Sequence, residues 1–315
     1  MKKVFIDGSA GTTGLRIGDR LSARDDVSLF TLPESLRKDP SARRDALNSA
    51  DVAILCLPDD AAREAVPMVD NPDVAIIDTS TAHRVADGWE YGFPELAGRR
   101  EKIARSKRIA NPGCHASGFI ALVEPLVRAG LVSPDAPISA FSLTGYSGGG
   151  KKMIADYADA MGGGNAARRL EYSGGRVYAL SQSHKHLPEM AKICGLARSP
   201  LFSPVIVPHE TGMETVVSLF AGDVAGTPDD IRRVYGEIYA GGSGVVRYDS
   251  GMGSGGTISS AAFSGRDSMA VGVCGNGERI MLIALFDNLG KGASGAALQN
   301  LNIVIGAEET CGLAL

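Results

Sequence analysis

The feature that most limits what this chain can become is a glycine turn close to its start. Residues 2–7 read as a short buried strand, and Gly8, Gly11 and Gly14 follow at once in a G-x-x-G-x-x-G spacing. Residues 15–21 then carry apolar side chains at helical intervals. Glycines between a strand and a helix permit a tight turn and let a pyrophosphate approach the amides at the helix N-terminus. The spacing is not the G-x-G-x-x-G fingerprint, so the position directly after the first strand carries the inference. Gly8, Ser9, Gly11, Thr12, Thr13 and Gly14 are the expected dinucleotide contacts.

Further strand signals at 28–32, 52–57 and 74–77 alternate with helix-like segments at 41–50 and 59–69. That alternation predicts parallel β-α-β construction with ligands at the carboxyl ends of the strands. After Cys114, the residues Phe119, Ile120, Leu122, Val123, Leu126 and Val127 form one broad helical face, and Gly130 is placed to end it. The runs 138–144, 176–180, 205–208 and 215–221 are β-branched or alternating and predict a second, mainly antiparallel sheet. Residues 280–286 read as a strand and 293–304 as a helix, while the glycine-rich stretches 145–150, 162–164 and 241–244 read as flexible loops. The expected fold is α/β, a Rossmann-like parallel sheet followed by an α+β domain. The expected division is 1–113 with 291–315 for the nucleotide, and 114–290 for catalysis and substrate.

Composition narrows the function classes. The 32 lysines and arginines against 36 aspartates and glutamates leave a net charge of −4, which argues against a nucleic-acid or anionic-membrane footprint. Apolar stretches such as Ile280–Phe286 fall far short of the ~18–20 residues of a membrane span. The opening residues lack the apolar core of a signal peptide, so a cytoplasmic protein is expected. Cysteines at 56, 114, 194, 274 and 311 have no paired spacing, which speaks against both a disulfide framework and a zinc cluster.

Cofactor choice should be written near the end of the second strand. There Ser35, Arg37 and Lys38 could hold a 2′-phosphate, whereas Glu34 could bind a ribose hydroxyl; NADP is the favoured reading. Cys114 follows Asn111-Pro112-Gly113 and opens a helix, where the dipole and unpaired amides favour a nucleophilic thiolate. Cys56, inside an apolar strand, is expected to be inert. In Ser183-His184-Lys185-His186-Leu187-Pro188-Glu189, an extended backbone would put His184 and His186 on one face, with Glu189 orienting a ring. Either histidine could serve as acid or base, with His184 preferred; no third ligand has metal-site spacing, so no metal is expected. Ser80 and Arg84 after the 74–77 strand, and Ser147, Gly148 and Lys151 in the 145–152 segment, suit an anionic substrate. Asn288 is placed to approach a nicotinamide.

These motifs together resemble a known family. GSAGTTG, DTSTAHR, YGFPEL, NPGCHASG, GYSGGGKK, HKHLPEM and DNLGKGASGAALQNLN stand in the order expected of the N-acetyl-gamma-glutamyl-phosphate reductases, across essentially the whole chain. The chain is similar to the shorter of the family's two length types, whose wider kin are aspartate-semialdehyde and glyceraldehyde-phosphate dehydrogenases. The resemblance implies NADPH-dependent reduction of an acyl phosphate to N-acetylglutamate semialdehyde in arginine biosynthesis, by a homodimer or homotetramer. It assigns Cys114 as nucleophile, His184 and His186 as the active-site histidines, and Gly8, Gly11 and Gly14 as the cofactor turn. The chain departs from the longer type at residues 83–85, where a DFR-like sequence is usual, and in the segment carrying Glu34 to Lys38. Two rival expectations are a reductase of another acyl phosphate, aspartyl or amino-adipyl, and a non-catalytic NADP-binding sensor. A Cys–His hydrolase would leave the nucleotide turn without a purpose.

Overall fold

The computed structural model describes every residue except Gly164 and Gly242. Two compact units are present, Met1–Gly113 with Ala293–Leu313, and Cys114–Gly292 with Ala314–Leu315.

In the first unit, β1 (Lys2–Asp7), α1 (Thr12–Leu21), β2 (Val27–Phe30), α2 (Pro40–Ser49), β3 (Val52–Leu55), α3 (Asp59–Ala65), β4 (Ala75–Asp78), β5 (Glu90–Tyr91), α4 (Arg99–Arg105) and β6 (Arg108–Ala110) follow in sequence. The strands form one parallel sheet in the order β2-β1-β3-β4-β6-β5. Val4 and Ile6 pack on one face with Ile17, Leu21 and Leu298, while Phe5 packs on the other with Leu47, Leu55 and Ala62. Burial of both faces explains why these strands read as unbroken apolar runs rather than alternating ones. The last helix, Gly295–Ile305, supplies Leu298 and Leu301 to the first of these clusters.

The second unit runs through α5 (Cys114–Arg128), β7 (Ser139–Gly145), α6 (Gly150–Gly162), α7 (Ala166–Ser173), β8 (Arg176–Val177), α8 (Leu187–Cys194), β9 (Leu201–Val207), β10 (Met213–Phe220), α9 (Pro228–Tyr239), β11 (Val246–Tyr248), β12 (Met269–Gly275) and β13 (Arg279–Phe286). Its sheet has the order β11-β12-β13-β10-β7-β9-β8. Only β11 with β12 and β7 with β9 pair in parallel; the other neighbours are antiparallel. The expected α/β class, a parallel sheet plus a mainly antiparallel one, is what the chain adopts.

Helix α5 is buried along most of its length, although it contains Pro125. Proline has no N–H for the carbonyl four residues earlier, that of Ala121. The Tyr239 hydroxyl donates to the Ala121 oxygen at 2.7 Å instead, and Tyr235 donates to the Leu122 oxygen at 2.6 Å. Both tyrosines come from α9, whose start is fixed by a capping box between Thr227 and Asp230.

Several local expectations are corrected. Residues 145–150 are not a loop: a 3-10 turn, Tyr146–Gly149, leads directly into α6. It is held by hydrogen bonds from Tyr146 N to His209 O and Ser147 N to Glu210 O, and by Tyr146 stacked on Tyr157 with centroids 4.2 Å apart. The 176–180 strand stops after Val177 because Ala179 takes a left-handed φ of 51°. The loops expected at 162–164 and 241–244 include Gly164 and Gly242, which lie outside the described residues.

The glycine turn is explained by sterics at two of its three positions. Gly8 has φ +86°, and a Cβ there would lie 2.3 Å from the Cys56 carbonyl oxygen. A Cβ on Gly14 would lie 2.6 Å from the Gly8 oxygen, whereas one on Gly11 meets nothing closer than 3.5 Å. Gly8→Ala should therefore destabilise the fold by about 1–3 kcal/mol or more through backbone strain and collision, while Gly11→Ala leaves stability nearly unchanged. Urea titration of the two variants checks this; equal midpoints would remove the steric account.

Candidate active site

The start of the glycine turn borders a cavity of about 360 Å³ beyond the carboxyl ends of β1, β2 and β3, whose lining does not include Gly11, Thr12, Thr13 or Gly14. This is the position where strand order reverses and dinucleotides bind in open α/β sheets. Gly8, Ser9 and Ala10 line it from β1, Leu57 and Pro58 from β3, and Leu32, Glu34, Arg37 and Lys38 from β2. Apolar walls with two cations at one edge fit an adenosine carrying a 2′-phosphate. Arg37 rests 2.6 Å from Glu34 on the surface, and Ser35 is exposed outside the lining. Thr12 and Thr13 open α1 and are half-buried.

Sequence reasoning missed a buried ion pair in the same wall. Arg43 donates from Nε and a terminal nitrogen to Asp7 Oδ2, at 3.1 and 2.8 Å. Its signal was present: Arg43, Ala46 and Leu47 occupy one face of α2, so this arginine lies on the inward stripe.

Ser80 and Arg84 are both buried and both engaged inside the first unit. The Ser80 hydroxyl donates to Asp78 Oδ2 at 2.7 Å, and Arg84 donates to the Asn111 and Thr79 carbonyls at 2.9 and 3.1 Å. Arg84 thereby ties β4's end to the residue that begins Asn-Pro-Gly. His83 Nδ1 stands 2.6 Å from Asp78 Oδ2, and its ring stacks on Trp89 with centroids 4.1 Å apart. This Asp78–His83–Trp89 arrangement was also missed, because an aspartate and a histidine five residues apart show no pattern in a sequence.

In the second unit Cys114 is the first residue of α5 and is half-buried. The Asp287–Gly292 segment lies against it: a Cβ on Gly292 would come within 3.0 Å of the Cys114 Cβ. Asn288 is buried, with its Oδ1 accepting from Gly212 N and its Nδ2 donating to Ser147 Oγ, each at 3.0 Å. Asn288 and Ser147 are thus joined with each other, and Gly148 lies beside them, with room for a Cβ only 3.3 Å from Asn288 Nδ2. Lys151 stands exposed on the first turn of α6.

The two histidines do not share the face of an extended strand. His186 has helical angles, φ −87° and ψ −10°, and caps α8. The rings meet edge to face with centroids 4.7 Å apart, and the His186 backbone N–H donates to His184 Nδ1 at 3.1 Å. An amide is always a donor, so His184 Nδ1 is the acceptor and, in the neutral ring, the proton sits on Nε2. His184 is half-buried; His186 is buried, with Nε2 3.9 Å from Glu189 Oε1.

A third histidine completes the cluster. His115 lies with its ring centroid 5.5 Å from that of His184 and 5.8 Å from that of His186. Its nitrogens face Ser142 Oγ at 2.9 Å and the Tyr178 hydroxyl at 2.6 Å. Burial, reinforced by neighbouring His184, drives His115 well below the ordinary histidine range, so it is neutral. Burial, with a further contribution from Cys114, raises Tyr178, so the phenol keeps its proton. Burial also pushes the Cys56 thiol up to about 12, in line with an inert core cysteine. Among the described residues no group of His, Cys, Asp and Glu could hold a metal ion.

Residues 18–106 match the semialdehyde dehydrogenase NAD-binding domain, and residues 114–288 the semialdehyde dehydrogenase dimerisation domain. The chain is 46% identical to an N-acetyl-gamma-glutamyl-phosphate reductase of Chelativorans sp., covering 96% of this chain and 98% of that protein. It is 44% identical to N-acetyl-gamma-glutamyl-phosphate reductase 2 of Nostoc sp., with 99% of each covered. Among solved structures, aspartate semialdehyde dehydrogenase II of Vibrio cholerae complexed with ASA superposes with a TM-score of 0.72 at 17% identity, over 97% of this chain and 98% of that one. Aspartate semialdehyde dehydrogenase with NADP from Candida albicans superposes at 0.66 and 16% identity, over 97% and 99%.

The depressed His115 has a consequence for stability. The folded state holds this ring neutral, whereas the unfolded chain takes up a proton near pH 6.5. Its contribution is fully present above that value and is lost as pH falls, at up to about 1.4 kcal/mol per pH unit. Half-buried His209, also lowered by burial, acts in the same direction. Urea unfolding between pH 7.5 and 5 should show a steeper loss for the parent than for His115→Phe; parallel curves would refute a neutral buried His115.

Proposed function

Because this chain belongs to the N-acetyl-gamma-glutamyl-phosphate reductase family of semialdehyde dehydrogenases, we propose that it reduces N-acetylglutamyl 5-phosphate to N-acetylglutamate 5-semialdehyde in arginine biosynthesis. The observation that carries this reading is Cys114 at the start of buried α5, in the same unit as a three-histidine cluster.

The thiolate of Cys114 attacks the acyl carbon, phosphate leaves, and a thioester remains. The positive end of α5 favours the anionic sulfur, and the same dipole suits the oxyanion of the tetrahedral intermediate. NADPH, when bound, supplies the hydride that reduces this carbon to the aldehyde level. Gly8, Ser9, Gly11, Thr12, Thr13 and Gly14 would hold its pyrophosphate, and Ser35, Arg37 and Lys38 its 2′-phosphate. Asn288 is the residue assigned to the nicotinamide, and its amide is fixed by Gly212 and Ser147. One of His184 and His186 gives and takes the proton as the hemithioacetal collapses, with Glu189 holding the buried ring. Ser147, Gly148 and Lys151 suit the anionic groups of the substrate; Ser80 and Arg84, assigned to the same groups, are engaged with Asp78, Thr79 and Asn111. A nucleophilic thiol at Cys114 is best preserved in a reducing compartment, so this reading places the protein in the cytoplasm. No helix among the described residues is long and apolar enough to cross a membrane.

The outer face of the second sheet supports a homo-oligomer. The segment carrying Met252, Ile258 and Phe263 packs over the part of this face near Val216, Ile283 and Leu285. Phe141, Leu201, Phe220 and Met281 remain exposed on the sheet. Through this apolar area two copies pair.

Purified protein should reduce NADP in a phosphate-dependent manner with N-acetylglutamate semialdehyde and not with aspartate semialdehyde. Turnover with aspartate semialdehyde alone would overturn the substrate and keep the mechanism. Cys114→Ser should lose more than about 10³-fold in kcat while still binding NADPH. His184→Asn and His186→Asn should separate, with the proton donor losing about 10²–10⁴-fold; a substitution that leaves the rate intact excludes that histidine. Phe141→Asp should convert the oligomer to a smaller species in light scattering, and an unchanged mass would sink the sheet-face interface.

A further inference from the structure

His115 follows the nucleophile in the chain, yet the reaction as derived above gives it no task. It sits within a buried chain of hydroxyls. Thr215 Oγ1 lies 3.0 Å from Ser142 Oγ, Ser142 Oγ 2.9 Å from His115 Nδ1, and His115 Nε2 2.6 Å from the Tyr178 hydroxyl. Thr215 and Ser142 face each other across β10 and β7, so the sheet fixes this end. Tyr178 lies at the other end and is half-buried, with its ring centroid 5.6 Å from that of His184.

A neutral imidazole has one donor and one acceptor nitrogen, and hydroxyls do both. The chain is therefore satisfied in either of two directions. In one, His115 Nδ1–H donates to Ser142 and Tyr178 donates to Nε2. In the other, Ser142 donates to Nδ1 and Nε2–H donates to Tyr178, whose own proton then points away from His115. Both arrangements keep the His115 ring neutral, so neither places a charge in the interior, where an unpaired charge is costly. Phe202 closes the remaining side, with centroids 5.2 Å from His115 and 5.4 Å from His184.

We propose that His115 is a positioning residue of the reductase reaction: from the buried side it fixes the Tyr178 hydroxyl, and the His115 and Tyr178 rings together hold the His184 ring in place. This rests on the reductase reading for its kinetic consequence, but the placement of His184 can be read without substrate.

The test compares His115→Phe, His115→Gln and Tyr178→Phe with the parent protein. His115→Phe should lower kcat on the order of 10–100-fold with KM within about twofold, the loss expected when a reacting group is slightly misplaced. His115→Gln, which keeps an amide towards Tyr178, should recover most of that loss. Tyr178→Phe removes a single half-buried hydroxyl and should reproduce the kinetic defect, so the proposal does not depend on the folding of His115→Phe. Imidazole nitrogen NMR on the protein without substrate should show His115 neutral at pH 7, and a displaced His184 titration midpoint in His115→Phe and Tyr178→Phe. Iodoacetamide should still alkylate Cys114 in every variant, as a check on its local structure. A Tyr178→Phe protein with unchanged kcat, pH profile and His184 midpoint would overturn the proposal. If the parent turns over neither semialdehyde, the reductase reading fails, while the His184 midpoint still decides the positioning claim.

Discussion

The second unit depends on how closely α5 lies against its sheet. A Cβ at Gly118 would come 2.4 Å from Thr215 Oγ1 and 2.8 Å from a ring carbon of Phe286. The absent side chain lets the helix settle directly onto β10 and β13. Cys114 stands one turn earlier on the same helix, and His115 reaches Ser142 on β7 from it. The position of the sulfur therefore follows from backbone packing rather than from a loop. Pro125 puts the helix under a local deficit, and the Tyr239 hydroxyl makes it up from α9. Close-packed interiors transmit such constraints, so residues far from the sulfur take part in setting it.

The nucleotide unit uses a different device. Its glycine turn is shaped by collisions that side chains at Gly8 and Gly14 would cause with carbonyls of the turn and of the neighbouring strand end. Beside it the buried Asp7–Arg43 pair holds α2 to the end of β1. A buried pair of this kind adds little net stability, but removing one partner strands a charge at a cost of about 3–5 kcal/mol. Its value lies in fixing one arrangement of the cavity wall.

Much of this was legible in the sequence. The strand–glycine turn–helix unit and the alternation through residue 78 are local patterns, and both appear where the periodicity puts them. Cys114 was legible because Asn-Pro-Gly before an apolar helical stripe marks a helix start. What escaped depends on contacts distant in sequence. β12, buried on both faces, shows no alternation, and α9 was overlooked although Thr227-Pro228-Asp229-Asp230 is a capping signal. The 145–150 glycines were read as a loop because their partners, His209 and Glu210, lie some sixty residues away. The helical turn at His186 and the enclosure of His115 by Ser142 and Tyr178 likewise arise from tertiary packing, which overrides local preference.

The stack of His83 on Trp89 has an optical consequence. Trp89 is the chain's one tryptophan and lies in the first unit, while Tyr146, Tyr157, Tyr172, Tyr178, Tyr235, Tyr239 and Tyr248, seven of eight tyrosines, lie in the second. Indole emission thus reports on one unit, and the phenol absorption bands report mainly on the other. The protein arrives with two spectrally separate labels, one for each body, without any dye attached.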